Sequence, residues 1–477
     1  MSLIDTWLQE CDTTDALDNP HFPSARSLLS TSQPTSITLG TGTSIFSRLS
    51  ELILAKCEHE LLFVTCFWAP SSSLTFVHDL LLALSAKAVA QNSKIRVRIG
   101  FSSLSLWQKL FHTTSPAGRV WSAKEWAPSL RLPAQELLPG LDVVVKSIFV
   151  LPLSVMHPKF VVIDREVAVL PSCNVSWENW FEGAVELRGP VVVDGFVRFF
   201  EGVWEYRDGE QRDPDGAVEP DLEAGSINKE PRSFSVSREP DRLATTRTVP
   251  ASTLPSTTEL SHQNIQTIFL PSHYHRNPHF HPLPWQLPPP PPPTPLNSFL
   301  LHLFTNATTT ITIQTPNLTS PPVVAALLDA LARGVSVSIT TNERLMFIEQ
   351  LVTAGTTTPS CVASLTTQHQ QLKTQDHETQ SLYRHADNAS LGRLHIAYFS
   401  GEPGHGDVRD VVPVSSHLKM TVVDEEVVVL GSGNMDRASW YTSQELGVAF
   451  ESREMAGIVL ERVAGVNKRY CRTVYAG

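Results

Sequence analysis

The sequence predicts an α/β protein built from one unit written twice. Three observations carry this reading: strand–helix–strand runs recur in the two halves of the chain, each half ends in a similar hairpin, and a polar, proline-rich stretch separates them. At roughly 150 residues per domain, 477 residues suit a large two-lobed protein.

Residues 43–57 have apolar side chains at helical spacing and lead into the apolar run 60–67, which reads as a buried strand. Serines at 71–73 open a second helix over about 74–90, and 94–101 reads as the next strand. The second half repeats the plan with a helix at 296–304, a strand at 309–315, a helix at 323–334 and a strand at 335–341. Units of this length build a largely parallel sheet covered by helices. Each half then reaches a further strand, 141–150 or 393–400, and a hairpin, 157–174 or 417–434. The hairpins alternate apolar positions about Asp164-Arg165-Glu166 and Asp424-Glu425-Glu426.

The expected organisation is an N-terminal extension (1–39), a first repeat (40–206), a disordered polar linker (207–264) and a second repeat (265–477). A proline-rich approach at 282–295, with six consecutive prolines at 288–293, leads into the second repeat, and a surface insertion is expected at about 360–390.

Hydrophobic residues make up 42% and charged residues 18%, which excludes wholesale disorder. The formal net charge of −11 argues against a general electrostatic grip on nucleic acid. Six scattered cysteines without a C-x-x-C pair read as reduced thiols of an intracellular protein. The N-terminus lacks the features of a signal peptide, and no apolar stretch reaches the ~18–20 residues of a membrane span. The expected location is cytoplasmic or peripheral to a membrane.

The chemistry sits in the hairpins. They share His157-x-Lys159-x4-Asp164 and His417-x-Lys419-x4-Asp424, with Asn174 and Asn434 ten residues after each Asp. Ser172 and Ser432 precede each Asn by two, and Trp180 and Trp440 follow by six. With one gap, Glu186-Leu187 matches Glu445-Leu446. Strand residues two apart share a face, so each His stands beside its Lys. Imidazole serves as nucleophile or proton donor near neutral pH, while Lys and Asn supply donors to phosphate oxygens. Two such sets facing each other suit phosphodiester exchange through a phosphohistidine, with no metal or cofactor required.

These motifs resemble the phospholipase D superfamily, over about 40–206 and 265–477. The resemblance implies two pseudo-symmetric α/β/α sandwich lobes with the active site at their interface; since the repeats are fused, no dimer is required. It implies His157 as nucleophile, His417 as general acid, Glu186 and Glu445 as buttresses of the histidines, and a mainly structural role for Asp164 and Asp424. Pro171-Ser172-Cys173-Asn174 departs from the family's Gly-Ser-x-Asn, which Gly431-Ser432-Gly433-Asn434 keeps.

The expected substrate is a phospholipid, in hydrolysis or in head-group exchange of the cardiolipin-synthase kind, with peripheral membrane contact. The alternatives are a nuclease or DNA-end-processing phosphodiesterase, and an inactive lipid-binding scaffold. His273, His275, His279 and His281 read as a His-rich loop rather than a metal site. Trp107, Phe111, Trp121 and Trp126 suit lid packing or, alternatively, acyl-chain contact.

Overall fold

The computed structural model describes residues 2–13, 17–104, 118–150, 154–205, 255–261, 264–277, 289–382, 391–401 and 413–477. The first half contains α1 (Leu3–Thr13), β1 (Leu29–Thr41), α2 (Gly42–Lys56), β2 (Glu60–Phe67), α3 (Ser72–Ala90), β3 (Ile95–Ser103), β4 (Arg119–Trp121), α4 (Ala123–Leu130) and β5 (Leu141–Ser147). A small hairpin of β6 (Phe149–Val150) and β7 (Ser154–Val155) follows, then β8 (Phe160–Ile163), β9 (Val167–Pro171), β10 (Trp180–Arg188) and α5 (Pro190–Val203). The second half contains β11 (Ser256–Glu259), β12 (Ile265–Ser272), α6 (Pro295–Asn306), β13 (Thr310–Gln314), α7 (Pro321–Ala332), β14 (Ser336–Thr341), α8 (Phe347–Ala354), α9 (Thr358–Leu382), β15 (Leu394–Phe399) and β16 (Ser415–Ser416). It closes with β17 (Met420–Val423), β18 (Val427–Gly431), α10 (Arg437–Tyr441), β19 (Glu445–Glu451), α11 (Arg453–Tyr470) and β20 (Cys471–Ala476).

The strands form two sheets of one plan. The first runs β4-β5-β3-β2-β8-β9-β10-β1-β11, parallel over β5-β3-β2, with the short β16 of the second half also parallel to the start of β10. The second runs β20-β15-β14-β13-β17-β18-β19-β12, with β15-β14-β13 parallel. Strand β1 joins them, pairing Leu29–Ser32 with β12 and continuing along β10. The two sheets share one strand order, and both are mixed because each His-Lys-Asp hairpin enters antiparallel to its parallel core.

The apolar alternation of the strands is spent on two cores, one that runs across the two halves and one within the first half. Phe269 of β12 meets Phe196 of α5 edge to face at 5.0 Å, and Phe181 of β10 stacks on Phe399 of β15 at 5.8 Å. Each fully buried Phe of this kind contributes about 1.5–3 kcal/mol.

Three expected segments shift, and one expectation about apolar length is corrected. Residues 1–39 are no mere extension: β1 starts at Leu29, and α1 buries Ile4, Trp7 and Leu8 while the Trp7 Nε1–H donates to Ser298 Oγ of α6 at 3.0 Å. The linker stops short of 264, because Ser256–Glu259 pairs with Ser36–Leu39; the Thr side chains that made it look like linker also suit an edge strand. Its acidic start lies outside the described residues. The stretch 360–390 is not simply a surface insertion. Helix α9 buries Val362, Leu365 and His369, and His369 bonds Tyr475 and the Gly392 carbonyl. Finally, α3 is 19 residues long with a mean hydropathy of 1.4, enough by length and composition to cross a membrane. It instead lays Leu74, Val77, Leu80, Leu81 and Leu84 into the first-half core.

Trp121 and Trp126 are core residues with bonded indole N–H groups, donated to Ser147 Oγ and the Pro133 carbonyl, which leaves no face for an acyl chain. Trp107 and Phe111 lie outside the described residues. None of the six cysteines is in a disulfide among the described residues.

Candidate active site

Each hairpin turns on two residues in the left-handed region, Asp164-Arg165 (φ 50° and 57°) and Asp424-Glu425 (φ 52° and 53°). Two such residues form the tight turn that matches the strand twist, and Asp tolerates the conformation better than most. The Asp164 carboxylate accepts the backbone N–H groups of Glu58, His59 and Glu60 at 2.7–2.8 Å. Asp424 accepts those of Thr308, Thr309 and Thr310, plus the Thr308 and Thr309 hydroxyls. Burial alone would raise the Asp424 carboxyl, but these donors outweigh it and hold it below its ordinary value. Both aspartates fasten a hairpin to the loop before the adjacent parallel strand, far from the chemistry.

At the other end of the hairpins the halves exchange contacts. The His157 N–H donates to the Gln444 carbonyl at 3.0 Å, and the His417 N–H to the Phe181 carbonyl at 2.8 Å. His157 Nδ1 lies 2.8 Å from a Glu445 oxygen, and His417 Nδ1 lies 2.8 Å from a Glu182 oxygen. Each imidazole is therefore oriented by a carboxylate of the opposite half. With each Nδ1 engaged by its glutamate, Nε2 is the nitrogen that remains, and a backbone group of Ser432 also bonds His157 as one of Ser172 bonds His417. Ser432 Oγ donates to Glu445 and accepts the Leu446 N–H, and Ser172 Oγ does the same for Glu182 and Gly183.

Both lysines are buried and donate one of their three N–H groups to the carbonyl of their own histidine, Lys159 Nζ at 2.7 Å and Lys419 Nζ at 2.6 Å. Burial, first, and then Lys159 and Lys419 hold His157 well below its ordinary pKa. Burial, then Lys419, Lys159 and His157 do the same to His417. Burial raises Glu182 and Glu445 to about 7 against the pull of the lysines. That each group feels the other half's cations places all six in one field.

Glu186 was expected beside a histidine, and it is not there. It pairs with Lys56 at 2.9 Å and lies near Ser36, on the sheet's far end from His417. Its place is taken by Glu182. Glu-Leu recurs in both halves, but between Ser and the histidine-facing Glu the second half carries three residues more, and α10 (Arg437–Tyr441) absorbs them. The available signal is slight: Glu182-Gly-Ala-Val matches Glu445-Leu-Gly-Val once three extra residues are allowed in the second half. The same shift separates the two tryptophans, since Trp440 is buried in α10 while Trp180 starts β10 with its ring 4.9 Å from that of His417.

The asparagines also differ. Asn174 Oδ1 accepts the Phe67 N–H at 3.3 Å, whereas Asn434 Nδ2 donates to Asp436 at 2.9 Å and its buried Oδ1 has no partner. Pro171 keeps its place by pairing with Ala184 at the end of β9, so the departure from Gly does not break the strand. Gly431 is strict, because a Cβ there would lie 2.3 Å from the Leu446 carbonyl oxygen.

His273 packs against His21 and Tyr274, and His275 Nε2 lies 2.5 Å from Asp18; His279 and His281 lie outside the described residues. Among the described residues no group of His, Cys, Asp and Glu side chains could hold a metal ion.

A family model described as "Cardiolipin synthase, PLD-like domain" matches residues 300–464. The fold is similar to that of phosphatidylserine synthase from Haemophilus influenzae Rd KW20, with a TM-score of 0.55 at 12% identity over 99% of this chain and 92% of that one. A second similar structure is Nuc, a phospholipase D family member from Salmonella typhimurium, with 18% identity over 38% of this chain and 90% of that one and a TM-score of 0.27. Among curated protein sequences none matches the chain. Two like halves, each lending a carboxylate to the other's His-x-Lys-x4-Asp histidine, thus go with a second half whose residues 300–464 match the PLD-like domain model and with a fold similar to that of a phosphatidylserine synthase.

Proposed function

We propose that the protein is a phosphodiesterase or phosphatidyltransferase that acts on phospholipids through a covalent phosphohistidine. The observation that carries this reading is the reciprocal pair of Glu-oriented histidines with two buried lysines between them. His157 Nε2 attacks phosphorus; the P–N bond forms as the P–O bond to the leaving alcohol breaks, and the alkoxide takes the Nε2 proton of His417. Neutral His417 then accepts a proton from water or an alcohol, whose oxygen attacks phosphorus, breaks the P–N bond and frees His157. Lys159, Lys419, Asn174 and Asn434 supply the donors for the phosphoryl oxygens. An incoming phosphodiester anion offsets the lysine charge that depresses both imidazoles and so favours protonation of His417.

The lipid reading draws support from α8. Phe347, Ile348, Leu351 and Val352 are exposed, Ile348 by 76%, whereas Gln350 is buried and bonds Thr358 and the Leu345 carbonyl. A helix with its polar residue inward and its apolar residues outward suits a non-aqueous neighbour such as a membrane surface. It sits close to the site: Asn342, just before it, donates to the Ser416 carbonyl, and Arg437 donates to the Thr353 carbonyl.

The test uses purified His157→Ala and His417→Ala variants with a p-nitrophenyl phosphodiester, followed by mapping of the phosphorylated residue. Loss of a general acid costs ~10²–10⁴-fold, and a good leaving group recovers much of it. Label on His157 in His417→Ala, with none in His157→Ala, is expected. Label on His417 instead reverses the roles, and full activity in both variants ends the phosphohistidine reading. Labelled phosphatidylglycerol, phosphatidylcholine and single-stranded DNA, offered in parallel, separate the phospholipid reading from nuclease activity.

A further inference from the structure

The two halves differ at one position beside their histidines. Because His157 and His417 donate to the carbonyls of Gln444 and Phe181, those two residues are counterparts, and so are the residues before them, Ser443 and Trp180. The small Ser443 is buried. The Trp180 indole lies on the His417 ring, with centroids 4.9 Å apart and planes at 41°. Among the described residues no aromatic ring lies on His157. Access follows the same asymmetry, since the His157 side chain is 13% exposed and that of His417 only 3%.

We infer that Trp180 is a positioning residue that makes the two histidines unequal: its indole covers His417, favours its protonated form, and leaves His157 as the imidazole that phosphorus reaches. The division of labour rests on the proposed function above. The physical cause is the negative face of the indole, which attracts an imidazolium more than a neutral imidazole, most strongly where water is excluded. It acts against Lys419, Lys159 and His157, which disfavour a charge on His417, and together with Glu182 at Nδ1. Trp180 and Glu182 share one face of β10, two residues apart, so a single strand both aims the His417 ring and leans an indole against it.

The test compares wild type with Trp180→Phe, Trp180→Met and Trp180→Leu in the full-length protein. Histidine resonances, assigned with His157→Ala and His417→Ala, are titrated by NMR. His417 is expected to titrate about half to one pH unit lower in the Leu and Met variants, with Phe in between and His157 unmoved. Turnover is read with an alkyl and a p-nitrophenyl phosphodiester. The Leu variant is expected to lose about tenfold on the alkyl diester and little on the nitrophenyl diester, with the alkaline limb of its pH–rate profile moved down. An unshifted His417 in any folded non-aromatic variant, or equal loss on both diesters with the same pH profile, overturns the inference. If wild type turns over neither diester yet the His417 shift appears, the indole's effect stands and the phosphodiester reading falls, so the two failures are separable. The Phe variant, which keeps a ring, guards against loss of fold in the others.

Discussion

Glu182 and Glu186 lie four residues apart on one face of β10, yet only Glu182 touches an imidazole. The chemistry of the two predicts opposite outcomes for one substitution. Glu182→Gln keeps the shape but loses the charge that holds His417 as an Nδ1–H donor, and is expected to lower kcat by about 10²–10⁴-fold with KM little changed. Glu186→Gln removes a partly exposed pair with Lys56, worth about 0–1 kcal/mol, and is expected to leave turnover within about twofold. Steady-state kinetics on one phosphodiester decides it, and equal losses in both variants would return Glu186 to the site. Ser172 and Ser432 belong to the same scale: Ser172 holds the Glu182 oxygen that His417 leaves, and Ser432 bonds the Glu445 oxygen that His157 also meets.

At the scale of elements, the hairpin is the working unit, and its aspartate is the clamp. Asp424→Ala strands several backbone N–H groups at the start of β13 and is expected to cost about 1–3 kcal/mol, read as a lower denaturant midpoint with unchanged slope. The Asp424 carboxyl is depressed in the folded state, so its contribution is present above its unfolded pKa and is lost as pH falls through the folded one. The stability gap between wild type and Asp424→Ala should therefore narrow below about pH 4; a gap that stays constant to lower pH would show that charge is not what Asp424 supplies. Helix α8 makes the other prediction at this scale. Ile348→Asp with Val352→Asp, both on its exposed face, is expected to lower partitioning onto phosphatidylglycerol vesicles at least about tenfold while leaving thermal stability unchanged. Wild-type protein that does not float with vesicles would remove α8 as a membrane contact.

For the whole molecule, the two halves are not independent lobes that happen to touch. Strand β1 belongs to both sheets, α1 docks on α6, and each half completes the other's histidine. The stretch before Ser256 lies outside the described residues from 206 to 254, and its polar sequence reads as a linker. Removing 210–250 is expected to leave melting temperature and phosphodiester turnover close to wild type, because the segment lacks apolar periodicity and loop closure depends weakly on length. Extending the deletion through Ser256–Glu259 removes an edge strand from β1 and should lower the melting temperature. A 210–250 deletion that unfolds would show that part of this stretch is structural.

The linear order of residues by itself determined the class, the duplication and the paired His-Lys sets, because each rests on short-range information: strand and helix periodicity, and spacing inside one hairpin that fixes which side chains share a face. Asp164 and Asp424 were legible for the same reason, as turn residues between alternating strands. What tertiary structure alone decided concerns contacts between residues far apart in the chain. Glu182 rather than Glu186 meets His417 because α10 takes up the extra residues of the second half, an effect on register that no local pattern records. Trp180 and Trp440 match in spacing but part company in space for the same reason. The exposed apolar face of α8 was equally hidden, since hydrophobicity in a sequence reads as core until packing shows which side Gln350 takes. Spacing along a strand sets direction, but only the packing of two halves sets who stands opposite.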